Sequence, residues 1–198
     1  MAVPPVPSDI ALFQHVRVLI GIILGLSVTR LIAGVARFIQ HPDRHELWWP
    51  HLGWVAWALL NVVTFWWWEF RLSQLEHWTF SLYGFVLFYA AMYYLLSSLL
   101  FPDDLGDYGN FRAYFLSRRY WFFGLLALTE LLDVVDTWIK GAEHVSALGP
   151  AYVVRIVGFL VLCAFAARTR NGRLHGAFVI VALIYELSFF TRYYGTIN

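Results

Sequence analysis

Six apolar stretches, each long enough to need about 20 residues of a membrane span, fill nearly the whole of this 198-residue chain. A soluble core of this size cannot absorb six such runs, whereas a hydrocarbon layer of about 30 Å accommodates one helix for each. The pattern therefore predicts an all-α polytopic membrane protein: a single transmembrane domain over residues 1–198, a bundle of about six helices with short loops. The expected spans are residues 12–38, 48–70, 78–101, 120–139, 149–168 and 174–194. A short interfacial helix is expected near residues 111–119, where Phe111, Tyr114 and Phe115 interleave with Arg112, Arg118 and Arg119.

The second span is the best delimited. Trp48 and Trp49 mark one end and Trp66, Trp67 and Trp68 the other, as amphipathic rings do at the two faces of a bilayer. Helix between Trp49 and Trp67 is roughly 27 Å long at ~1.5 Å per residue, close to the apolar thickness. The first segment, Met1 to Asp9, carries four residues typical of an extended or capping stretch, Pro4, Pro5, Pro7 and Ser8. It lacks the basic region of a signal peptide, so the first span is expected to serve as its own targeting signal, with Ser8 or Asp9 as its cap.

Composition removes one broad class. Sixty per cent of residues are hydrophobic and the formal net charge is +1, so no basic field exists for nucleic acid. The basic residues instead report orientation. Loops 1, 3 and 5 hold eight of them (Arg37, Arg44, Arg112, Arg118, Arg119, Arg168, Arg170 and Arg173), against Arg17, Arg71, Lys140 and Arg192 on the other side. That bias puts loops 1, 3 and 5 in the cytoplasm and both termini on the non-cytoplasmic side, in a membrane of the bacterial inner-membrane type. Cys163 is the one cysteine and has no partner for an intramolecular disulfide.

Charges inside the spans are the functional clue. Glu130, Asp133 and Asp136 recur at three-residue spacing along the fourth span, which places them on one stripe of a helix. Three carboxylates on one face must point at protein or water, because each costs about 2.5–3.5 kcal/mol in lipid. Arg155 and Glu186 fall at similar depth in the fifth and sixth spans, with Arg17 and Glu69 toward helix ends. Two arrangements satisfy the pattern. In one, Arg155 and Arg17 pair with Asp133 and Asp136 and the charges only hold helices together. In the other, the surplus acid lines a water-filled pathway for protons or cations, with Glu130 and Glu186 deepest. A metal site built from Glu130, Asp133 and Asp136 is a variant of the second, since hard cations take carboxylate oxygens.

The first span has an inner polar face, Ser27, Arg30 and Arg37, and Arg30 is too deep to reach water; it needs a carboxylate, a carbonyl or a lipid headgroup. On the opposite face Gly21 and Gly25 form G-x-x-x-G, a spacing that lets another helix approach closely. Packing within the chain is the first expectation for that pair. No histidine lies mid-span, which disfavours a buried bis-histidine haem; His51 and His77 are the candidates for an interfacial pigment ligand. Asp103, Asp104 and Asp107 read D-D-x-x-D, but without a facing acidic cluster they are expected to be a solvated turn, with Asp107 or Asn110 capping the next segment. No nucleotide, zinc-protease or serine-hydrolase signature occurs, and no cofactor is required.

The sequence therefore points to a small ion-conducting or ion-coupled membrane protein using the acidic intramembrane cluster. Its alternative is an accessory or scaffolding subunit of a larger membrane complex. The partners implied are membrane lipids, and either further copies of the chain or partner membrane subunits.

Overall fold

The computed structural model describes residues 9–41, 46–69, 72, 78–106 and 108–193. Among these the chain forms six helices and no strand: α1 (Asp9–Gln40), α2 (Trp49–Glu69), α3 (Phe80–Leu100), α4 (Phe111–Ile139), α5 (Ala142–Arg168) and α6 (Gly172–Tyr193). Four of them are long and apolar enough to cross a membrane: Phe13–Gln40 within α1, and α3, α5 and the stretch Gly172–Thr191 of α6. The other two differ for legible reasons. Helix α2 carries Trp49, Trp54, Trp57, Trp66, Trp67 and Trp68, whose indole N–H groups temper its hydropathy, and α4 carries its three acids and three arginines.

Helix boundaries follow local chemistry. Thr79 accepts a hydrogen bond from Leu82 N at 3.2 Å and caps α3, and Asn110 Oδ1 accepts one from Ala113 N at 2.8 Å and caps α4. The separate interfacial helix expected near residues 111–119 is not formed. Once Asn110 nucleates the first turn, nothing between it and Ile139 breaks the helix, so that stretch is the first third of a continuous α4. Helix α5 starts earlier than expected, at Ala142, but it is broken at Gly149, whose φ of 67° favours glycine. Pro150 then occupies the first turn of the second segment, where its missing N–H costs nothing.

Helix α1 packs on α3, α4 on α5, and α2 on α6; α2 also touches α1, α3 and α4, which makes it the central element. Its tryptophans are core rather than belt in the middle of the bundle. Trp54 is fully buried and meets Trp57, Phe122, Phe123 and Phe178 at centroid distances of 5.1–5.8 Å. Large aliphatic side chains point outward: Val18, Ile22 and Leu26 on α1, Val153, Val154 and Val157 on α5, Ile184 and Leu187 on α6. A soluble protein would hide such faces; helices in lipid present them.

The two glycine sites on α1 behave in opposite ways. Gly34 is pressed against the Phe101 ring so closely that a Cβ there would collide with it. Gly21 and Gly25 meet nothing within 4 Å of where a Cβ would stand. Among the described residues nothing packs on the G-x-x-x-G pair, contrary to the first expectation, because it lies off the stripe of Val16, Ile20, Leu24 and Leu31 that α1 buries in the bundle. Replacing Gly34 by Ala should destabilise the purified protein by about 1–3 kcal/mol through overpacking. Gly21→Ala should leave it unchanged or slightly more stable. Thermal unfolding of the two variants in one detergent reads the difference, and equal melting temperatures would contradict this packing.

Candidate functional site

The bundle half that holds the α2–α3 and α4–α5 connections contains a partly open cavity. Its walls enclose about 650 Å³ counting the open side, of which about 70 Å³ can hold the centres of water molecules. That is room for a small water cluster. Helix α2 contributes Asn61, Thr64, Phe65 and Trp68, and α3 contributes Tyr89 and Tyr93. The remaining walls are Thr129, Glu130 and Asp133 of α4, Tyr152 and Arg155 of α5, and Tyr185, Glu186, Phe189 and Phe190 of α6.

Three carboxylates therefore face one guanidinium. Arg155 Nη2 donates to Asp133 Oδ2, which also accepts from the Tyr152 hydroxyl at 2.9 Å; the same hydroxyl lies 3.1 Å from Thr137 Oγ1. Arg155 Nη1 is 3.2 Å from Glu130 Oε2, an ion contact without hydrogen-bond alignment, and that oxygen has no hydrogen-bond partner. Glu186 lines the cavity with neither an ion pair nor a hydrogen bond among the described residues. The Arg155 guanidinium also lies over two rings, 5.2 Å from the centre of Tyr152 and 5.9 Å from that of Tyr185. Formal charge in the cavity thus sums to one positive against three negative, an imbalance that a low-dielectric site compensates with protons or a bound cation.

A second charged cluster adjoins the first across Trp68. Lys140 Nζ donates to Asp136 Oδ2 and lies 3.4 Å from Glu69 Oε1, and all three side chains are only 1% exposed. The indole N–H of Trp68 donates to Asp136 Oδ2 at 3.0 Å, and the ammonium sits 4.8 Å from the Trp68 ring centre. Here two carboxylates face one ammonium, so the surplus is again acidic.

The structure divides the acidic stripe of α4 between these clusters. Glu130 and Asp133 turn to Arg155, and Asp136 turns to Lys140. They do not converge on one point, and among the described residues no group of three His, Cys, Asp or Glu side chains is placed to hold a metal ion. Arg17 is exposed, and α1 meets α4 through Phe38 and Phe111, 4.6 Å apart at the other end of the bundle, so the expected pairing of Arg17 with that stripe does not form. The partners that sequence reasoning missed are Lys140 with Glu69, Tyr152 and the tyrosines of α3. Lys140 was legible as the residue four positions after Asp136; the cross-helix partners had no local signal.

The inner polar face of α1 does different work. Arg30 Nη2 donates to Phe101 O at 2.9 Å and to Asp103 Oδ1 at 2.5 Å, and Arg37 Nη1 donates to Pro102 O at 3.2 Å. His51 Nε2 donates to Leu100 O at 2.6 Å. The last carbonyl of α3, at Leu100, and the two that follow the helix, at Phe101 and Pro102, thus accept hydrogen bonds from α1 and α2, at the end where a helix leaves its carbonyls without partners and its dipole negative. Ser27 is buried and bonds its own helix at Ile23 O, 2.9 Å away. The hydrogen bond and charge of Arg30 hold the Asp103 carboxyl below the usual carboxylate range. Asp104 Oδ1 accepts from Gly106 N at 2.8 Å, closing the turn; Asp107 lies outside the described residues.

His51 is fully buried, stacked 5.0 Å from Phe111 and edge-on to Phe101 at 5.2 Å. Its Nε2 is committed to the Leu100 carbonyl, and its buried Nδ1 has no hydrogen-bond partner among the described residues. His77, the other pigment candidate, lies outside the described residues.

Removing the positive member of the cavity should cost about 3–5 kcal/mol, because Arg155→Gln leaves Glu130 and Asp133 buried without their counter-ion. Adding Asp133→Asn in the same chain should recover part of that loss. Melting temperatures of the single and double variants test the coupling; a double variant no more stable than Arg155→Gln would show that the pair is not coupled. No protein-family model, curated protein or solved structure matches the chain.

Proposed function

We propose that this is an integral membrane protein of six spans that conducts protons or cations, or couples their movement to another step, through the acidic cavity. Helices α2 and α4 complete the spans. A central α2 needs little lipid-facing surface, and the charges of the second half of α4 find partners inside the bundle. The observation that carries the reading is the surplus of carboxylates over cations in a cavity with room for water.

In this reading Glu186 and Glu130 exchange protons or hold the ion, and Asp133 fixes Arg155 so that its charge does not move with the cargo. Asp136, Glu69 and Lys140 form an outer charged ring between the cavity and the non-cytoplasmic side. The excess of basic residues on loops 1, 3 and 5 supports a cytoplasmic location for that end, in a membrane of the bacterial inner-membrane type.

A second reading, an accessory subunit that docks on other copies of itself or on a partner membrane protein, draws on the Gly21–Gly25 face, where no described residue comes within 4 Å of where a Cβ would stand.

Reconstitution into liposomes with an internal pH dye tests the first reading. Wild-type protein should dissipate an imposed pH or cation gradient. Glu186→Gln and Glu130→Gln should each lose at least about tenfold in rate, ~1.4 kcal/mol in the barrier, while eluting as wild type in size-exclusion chromatography. Unchanged flux in both variants, or no flux in the wild type, would overturn it.

A further inference from the structure

The cavity is as aromatic as it is acidic, and the two properties together select a ligand class. We infer that it binds a small organic ammonium ion, with Glu186 supplying the carboxylate and the surrounding rings the rest of the recognition. The inference rests on reading the cavity as one that handles cations, and narrows which.

An inorganic cation is a poor match. Such an ion wants a shell of oxygens, yet Asp133 is committed to Arg155 and Tyr152, and Glu130 stands against Arg155. No described group of three ligating side chains converges on a point. What remains is Glu186, a carboxylate with neither an ion pair nor a hydrogen bond among the described residues, while the Glu130 oxygen that lacks a hydrogen bond is the one held against Arg155. Glu130 is only 6% exposed, so this oxygen is turned away from bulk water.

Aromatic walls replace the missing oxygens. Phe65, Tyr89 and Tyr93 line one side, mutually edge-on at 5.2–5.6 Å or tilted, and Phe189 and Phe190 line another. Such faces attract weakly hydrated cations, quaternary ammonium above all. The protein already uses its own rings in this way: Arg155 lies against Tyr152 and Tyr185, and Lys140 against Trp68. These internal cations leave the net charge of the cavity negative, so a further cation is the occupant that the electrostatics favour. About 70 Å³ is available to the centres of water-sized groups and the cavity is open on one side, so a small organic ion is admitted with its charged end inside and the rest toward the opening.

Calorimetric titration of the full chain in detergent with choline, with 3,3-dimethylbutanol (the same shape without the charge) and with sodium or potassium chloride tests this. Choline should bind saturably, the neutral isostere should not, and Glu186→Gln should weaken choline at least about tenfold with its melting temperature kept. Glu186→Asp should restore part of the affinity. Equal binding of choline and its neutral isostere would overturn the inference, as would undiminished binding in Glu186→Gln. Absence of choline binding in a preparation that still carries proton or metal-ion flux would overturn the ligand class and leave the pathway standing. Absence of both would remove the two together.

Discussion

The grip of Arg155 on Asp133 and Glu130 is the interaction on which the rest of the polar interior depends. It joins α4 to α5, the helix pair that also borders the break at Gly149, and it sets the charge of the cavity. A guanidinium in this position satisfies part of the acidic stripe and leaves part of it over. Had each acid been given its own cation, the same helices would hold together with no reason to keep a water-sized space between them. Buried ion pairs contribute little net stability by themselves, and removing one partner is what costs. The arrangement is therefore better understood as fixing which carboxylates are free than as cementing the bundle.

The opposite half of the bundle solves a different problem. Helix α3 ends inside the protein, and the carbonyls at and just after its end would be costly to leave bare in a medium without water. His51, Arg30 and Arg37 each take one, and Gly34 lets Phe101 come close enough for those donors to reach. Aromatic packing around His51 then closes this end. At one end of the molecule donors from α1 and α2 meet the carbonyls at and just after the end of α3, and at the other the carboxylates outnumber the cations.

Much of this was legible in the chain, for identifiable reasons. Long apolar runs place helices well, because helix length and bilayer thickness are fixed quantities; the spans expected at 78–101 and 174–194 nearly coincide with α3 and α6. The three-residue spacing of Glu130, Asp133 and Asp136 correctly put them on an inward face, since periodicity is a local property. Partner choice is not local. Arg17 and Arg155 look alike in sequence, and only the packing order of α1 and α5 around α4 separates an exposed arginine from a buried one. Trp68 reads as interfacial belt, yet it spans both charged clusters. The G-x-x-x-G pair signals a close approach without saying to what, and here Gly34, outside that motif, makes the contact.

For the proposed pathway to work, Glu186 must face water inside the bundle while its neighbour Leu187 faces lipid. Thiol reactivity reads this directly, because a water-soluble methanethiosulfonate modifies only thiolates that water reaches. In a Cys163→Ala background, single cysteines placed at Glu186 and at the adjacent Leu187, which is 55% exposed on the outer surface, can be compared in native membranes. The cavity described above predicts rapid modification at position 186 and little at 187. An inert cysteine at 186 beside a reactive one at 187 would mean that α6 presents its carboxylate to lipid or dry protein, and the account would fail.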